Sequence, residues 1–312
     1  MLRIELLGGF HVAVGGAAVP EAAWRLRKGR ALIKLLALSP EHCLHREQVM
    51  EALWPDRDRG AAANNLRQAL FVARRALESC GTDGADGADG AGGANGADGA
   101  ARLIAAHDVL SLRNDGLEID VEDFEAAAAE TQRDPSLERL RAALGLYGGE
   151  LLPEDRFEPW AAARRESLRE RVIALLLELG SVLTESGDRA GAAVALQQAL
   201  THEPLHEPAH RELMRIYALT GRRQRALAQF HLLRESLRRE FADEPDEQTR
   251  LVYQDILTRR LGADDGDERP PAATRVTPRR GGNLPLQLTS FVGRERELAE
   301  VVRLARRHRL LT

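Results

Sequence analysis

The stretches ESGDRAGAAVALQQALTHEP and LTGRRQRALAQFHLLRESLR align at an offset of 34 residues. The alignment superposes Gly187 on Gly221, Ala192 on Ala226 and Leu196 on Phe230, and upstream Leu179 on Leu213 and Leu183 on Tyr217. A repeat of this length with helical spacing of its apolar residues constrains the fold more than any other feature. Each unit is a helix pair whose apolar stripe only the next pair can cover, with small residues where helices cross closely.

A period of 34 residues is the tetratricopeptide period. Residues 117–262 therefore read as an all-α, tetratricopeptide-like domain, with further helices expected at 136–147 and 159–186. The N-terminal part has a different rhythm. Leu2, Ile4 and Leu6 alternate with Arg3 and Glu5, and FHVAVGGAAV places a Gly15-Gly16 turn between apolar runs, so residues 2–20 read as short strands. Helical spacing begins near Arg27 and ends at Ser39-Pro40; a second helix is expected at 46–53, before Pro55, and a third at 61–78. RLIAA and VLSLR, separated by His107-Asp108, suit a hairpin. Three helices followed by a terminal hairpin form a winged helix-turn-helix, in which the third helix is the one offered to the DNA major groove. The expected fold class is thus an α+β winged helix (1–114) followed by a helical domain.

Between third helix and hairpin lies GTDGADGADGAGGANGADGA, residues 81–100. Collagen needs Pro in its X or Y places, and calcium-binding nonapeptide repeats need a large apolar residue per turn; neither is present. We read it as a disordered insertion within the first domain. Residues 263–282, rich in Pro, Gly and charge, read as a flexible linker. The net charge of -4 conceals an asymmetry, because residues 1–80 carry 12 Lys+Arg against 8 Asp+Glu, a surplus of +4. That surplus points to a polyanion partner for the N-terminal part. No apolar run approaches a membrane span and the start lacks a signal-peptide layout, so a cytoplasmic, nucleoid-associated protein without membrane contact is expected.

On the third helix, Leu66, Leu70, Ala73 and Leu77 form the expected core stripe, while Asn64, Gln68, Phe71 and Arg75, flanked by Arg67 and Arg74, form the opposite face. Asn and Gln pair with adenine edges and Arg with guanine or phosphate, so these six are candidate DNA contacts. Arg27, Lys28 and Arg30 at the first helix are candidate phosphate clamps. HEPLHEPAH matches HExxH twice, at His202 to His206 and His206 to His210, which raises a zinc hydrolase. Pro204 and Pro208 occupy the third place of each copy and are incompatible with the single helix such a site needs. The two lysines, Lys28 and Lys34, complete no phosphate-binding loop. No enzymatic activity, metal or cofactor is expected.

The runs WRLRKGRALIKLLAL, HREQVMEALWPD and AAANNLRQALFVARRAL resemble the winged-helix domain of the SARP-type antibiotic regulatory proteins, a family of bacterial transcriptional activators. DVEDFEAAA, GELLPEDRFEPWAAARRESLRE, PLHEPAHRELMRIYALTGRRQRALAQF and EPDEQTRLVYQDIL resemble that family's bacterial transcriptional activator domain. The resemblance implies an OmpR/PhoB-like winged helix that binds direct repeats in double-stranded promoter DNA as side-by-side protomers. It also implies recruitment of RNA polymerase, with Asp56, Arg57 and Asp58 in the loop facing polymerase or sigma factor, and a role in secondary metabolism. The tail NLPLQLTSFVGRERELAEVVRLARRHRLLT, within 283–312, resembles the entry to a P-loop signalling ATPase domain. The alternative from another class is a tetratricopeptide-type protein-interaction scaffold without DNA binding.

Overall fold

A computed structural model describes residues 1–78 and 102–261. The expected insertion 81–100, linker 263–282 and tail 283–312 lie outside the described residues.

The alternation of apolar and polar residues produces β1 (Leu2–Glu5), which pairs antiparallel with β2 (His11–Val14) in the register Leu2↔Val14 and Ile4↔Val12. Gly15 and Gly16, at φ +60° and +89°, turn the chain into β3 (Ala17–Ala18), as these backbone angles require glycine most readily. Then come α1 (Arg27–Ala37), a three-residue β4 (Cys43–His45), α2 (Arg46–Leu53) and α3 (Arg59–Glu78). The hairpin is β5 (Leu103–Ala106) and β6 (Val109–Leu112), turned at His107 with φ +54°. β4 pairs with β6, so the hairpin is one side of a three-stranded sheet β4-β6-β5.

β7 (Leu117–Ile119) pairs parallel with β1 and completes a four-stranded sheet β3-β2-β1-β7. It leads directly into α4 (Asp120–Thr131). The helical region continues with α5 (Leu137–Leu146), α6 (Pro159–Glu185), α7 (Arg189–His202), α8 (Glu207–Leu219), α9 (Arg223–Phe241) and α10 (Glu247–Leu257).

The 34-residue repeat occupies equivalent places in space. Gly187 and Gly221 take up positive φ, +88° and +71°, just after α6 and α8, where a helix ends most cheaply on glycine. Ala192 and Ala226 are fully buried, and Leu179, Leu213, Leu183, Tyr217, Leu196 and Phe230 all belong to the core. Gly180 of α6 supplies a second close crossing: a Cβ there would lie 3.3 Å from Leu196.

The N-terminal and helical regions share one core and one compact unit, Met1–Asp265. Besides the β1–β7 pairing, a strap at residues 148–158 lies against the first sheet. Leu7 bridges Leu151, the Gly8 N–H donates to the Glu150 carbonyl at 2.9 Å, and the Leu152 N–H to that of Leu6 at 2.9 Å. The approach is close because it is glycine on glycine: a Cβ on Gly8 would sit 2.8 Å from the Gly148 carbonyl oxygen. Asp120 accepts hydrogen bonds from the Leu6 and Leu7 amides at 2.9 Å, capping the end of β1. Burial pushes its carboxyl pKa up, against the lowering effect of these bonds.

Candidate nucleic-acid interface

α3 is a 20-residue helix with one acid, the terminal Glu78. Its N-terminus is set by Asp58, whose side chain accepts from the Ala61 amide at 3.0 Å, and its buried side is Ala62, Leu66, Ala69, Ala73, Ala76 and Leu77. Leu70, expected in that stripe, is only partly buried, and alanines take its place because α1 crosses closely there. A Cβ on Gly29 of α1 would lie 3.3 Å from Val72 Cγ1 and 3.5 Å from the Ala69 carbonyl oxygen. Small residues on both helices are what permit that approach.

Asn64, Gln68, Phe71 and Arg75 are all exposed on the opposite side, and Phe71 keeps 63% of its surface. Their spacing of 4, 3 and 4 residues places them in a stripe about 60° wide and about 16 Å long. Arg67 is exposed beside them. Arg74 is partly buried, and its Nε donates to the Leu103 carbonyl at 3.2 Å, so it fastens β5 to α3 rather than lying open on the face. The tip of the hairpin is fixed too, since the Arg46 amide of α2 donates to the Asp108 carbonyl at 2.7 Å. Helix and hairpin thus form one rigid surface.

The three candidate phosphate clamps of α1 separate. Arg27 is exposed, Arg30 pairs with Glu21 at 3.1 Å, and Lys28 stands 4.0 Å from Glu158 of the strap. Asp56, Arg57 and Asp58 are exposed in the loop before α3. Asp56 and Arg57, with Trp54 and Pro55, line one side of a cleft of about 600 Å³ whose other side is Glu158, Pro159 and Trp160 at the start of α6. The loop therefore lies beside the helical region.

Sequence reasoning missed the role of Lys34. It is buried, its Nζ donates to Glu154 Oε1 at 2.7 Å and to Asp155 Oδ2, and it lies 4.7 Å from the centre of the Phe10 ring. Burial alone would raise the Glu154 pKa, but the Lys34 hydrogen bond and charge hold it below the usual carboxylate value. Arg165 secures the same strap, donating to the carbonyls of Leu151, Asp155 and Arg156. The signal was a lysine inside the apolar run ALIKLLAL, a position that demands a buried acid.

The HExxH histidines divide between two elements: His202 belongs to α7, whereas His206 and His210 both belong to α8, which accommodates Pro208 in its first turn contrary to expectation. His202 ends α7 and packs edge-on against Tyr147 at 5.7 Å. His206 caps α8, its Nδ1 accepting from the Ala209 amide at 3.2 Å. His210 is buried inside α8 with Nε2 at 2.8 Å from the Pro204 carbonyl oxygen and Nδ1 at 2.7 Å from Gln229 Nε2. That pairing fixes the neutral tautomer with the proton on Nε2, and burial lowers the pKa, as it does for His202. Among the described residues no group of three or more His, Cys, Asp or Glu side chains is placed to hold a metal. No helix among them is long and apolar enough to cross a membrane.

Comparison with known proteins bears on most of this assembly. No curated protein matches the chain. The solved structure of Mycobacterium tuberculosis EmbR in complex with a low affinity phosphopeptide has a similar fold, with a TM-score of 0.64 at 20% identity over 83% of this chain. This chain spans 65% of the length of that one. The family model of the bacterial transcriptional activator domain matches residues 117–257, which begin at β7, the strand that the first sheet takes up, and end with α10.

Proposed function

We propose that the chain is a transcriptional activator of the SARP type that binds double-stranded promoter DNA through α3, without enzymatic activity or cofactor. The observation that carries this reading is the exposed face of Asn64, Arg67, Gln68, Phe71 and Arg75, which has no acidic side chain between residues 64 and 75, meets its one acid at the terminal Glu78, and is held rigidly beside a hairpin. The domain match over 117–257 and the shared fold support a regulator of this class. In this reading the first three helices and β5–β6 act as an OmpR/PhoB-like winged helix, and the helical pairs act as a tetratricopeptide-like platform. Side-by-side protomers occupy direct repeats, Arg27 reaches the phosphate backbone, and residues 56–58 meet RNA polymerase or sigma factor. The work is done in the cytoplasm at the nucleoid, on genes of secondary metabolism or related regulation.

Genome-wide footprinting of the tagged chain tests this. The expected result is sharp protection over direct repeats upstream of genes whose transcripts fall when the chain is deleted. Protein-partner capture with no protected DNA would instead establish the scaffold reading.

A further inference from the structure

The face of α3 carries one side chain that electrostatics does not explain. Phe71 keeps 63% of its surface in the middle of a polar stripe, with Asn64 seven residues before it, Gln68 three before and Arg75 four after. It sits where α3 is held by two neighbouring elements. Its neighbour Val72 packs on Gly29 of α1, and Arg74 ties the next turn to β5. A ring in this place can form no hydrogen bond. Of the groups on base edges in the major groove, the one apolar feature is the C5-methyl of thymine.

We propose that Phe71 is a specificity-determining residue that reads thymine methyl groups. The inference rests on the assignment of α3 as the DNA-reading helix. Gln68, one turn before Phe71 on the same stripe, is suited to the N6 and N7 edge of adenine, so the two side chains select neighbouring A·T pairs at the centre of the α3 footprint. Arg75, one turn beyond, supplies guanine or phosphate contact at the edge of that step.

The test uses the full chain and a library of short random-sequence duplexes. Sequences enriched by the wild-type chain are resynthesised with uracil in place of every thymine, which removes the methyl groups and leaves base pairing intact. Wild type is expected to lose about fourfold in affinity for each contacted methyl, the worth of burying one such group. Phe71→Ala is expected to bind the thymine and uracil duplexes equally, and Phe71→Leu to retain part of the difference. Equal binding of the two duplexes by wild type would overturn the proposal while leaving α3 as the reading helix. So would a Phe71→Ala variant that still discriminates between them, or one whose only change is in self-association. Failure to enrich any sequence would overturn the DNA-reading assignment itself.

Discussion

Lys34 has a side chain only 5% exposed and faces Asp155, 14% exposed, across the junction between α1 and the strap. Replacing it by Met leaves a shielded carboxylate without its donor, at a cost of about 1.5–3 kcal/mol in urea denaturation. Unchanged stability would show that water replaces the ammonium freely. His210 gives a different signature. Its pKa in the folded chain lies below the 6.5 of a free histidine, so the native state binds fewer protons than the unfolded one. Its contribution to stability is therefore complete above about pH 6.5 and is lost as the pH falls below that value. The loss of stability from pH 7 to 5 is expected to be shallower in His210→Gln than in wild type. Parallel curves would refute the neutral, buried assignment.

Among the elements, the turns and the strap test the same chemistry in two settings. Gly187 and Gly8 both have strongly positive φ, +88° and +84°, but a Cβ on Gly187 meets open space whereas one on Gly8 meets the Gly148 backbone. Gly187→Ala is expected to cost about 1–2 kcal/mol from the left-handed backbone alone. Gly8→Ala is expected to cost clearly more, because the strap must also move. Equal losses on thermal denaturation would mean that the strap is not tightly seated. The sequence showed the long elements well: period and punctuation located α1, α2, α3, the β5–β6 hairpin and the repeat pairs. It did not show β4 and β7, three residues each, since so short a strand has no measurable period and exists only because β6 and β1 offer it an edge. The candidate face of α3 was legible from helical spacing. The roles of Arg74, Lys28 and Arg30 were not, because each is drawn to a partner far away in sequence or on another element.

Across the whole molecule, the parallel β1–β7 pairing and the strap join the region of α1–α3 to the helical stack. A chain expected to divide at 114–117 has its first sheet completed by residues just beyond that point. Unfolding is therefore expected to be cooperative. Fluorescence from Trp24, Trp54 and Trp160, which report on the N-terminal region and the cleft beside α6, is expected to change with the same midpoint as helical circular dichroism. Two separated midpoints would mean that the regions unfold independently. On the proposed reading, rigid mounting means that a protomer bound to DNA through α3 would hold its helical stack at a fixed angle to the duplex. The most direct test of DNA reading is the affinity of the full chain for a selected duplex across a range of salt, for wild type, Arg27→Ala, Gln68→Ala and Arg75→Ala. The expected result is a steep fall of wild-type affinity with salt, a shallower slope for Arg27→Ala, and losses of about 1–3 kcal/mol for Gln68→Ala and Arg75→Ala with relaxed sequence preference. Undiminished affinity and preference in both α3 variants would contradict it.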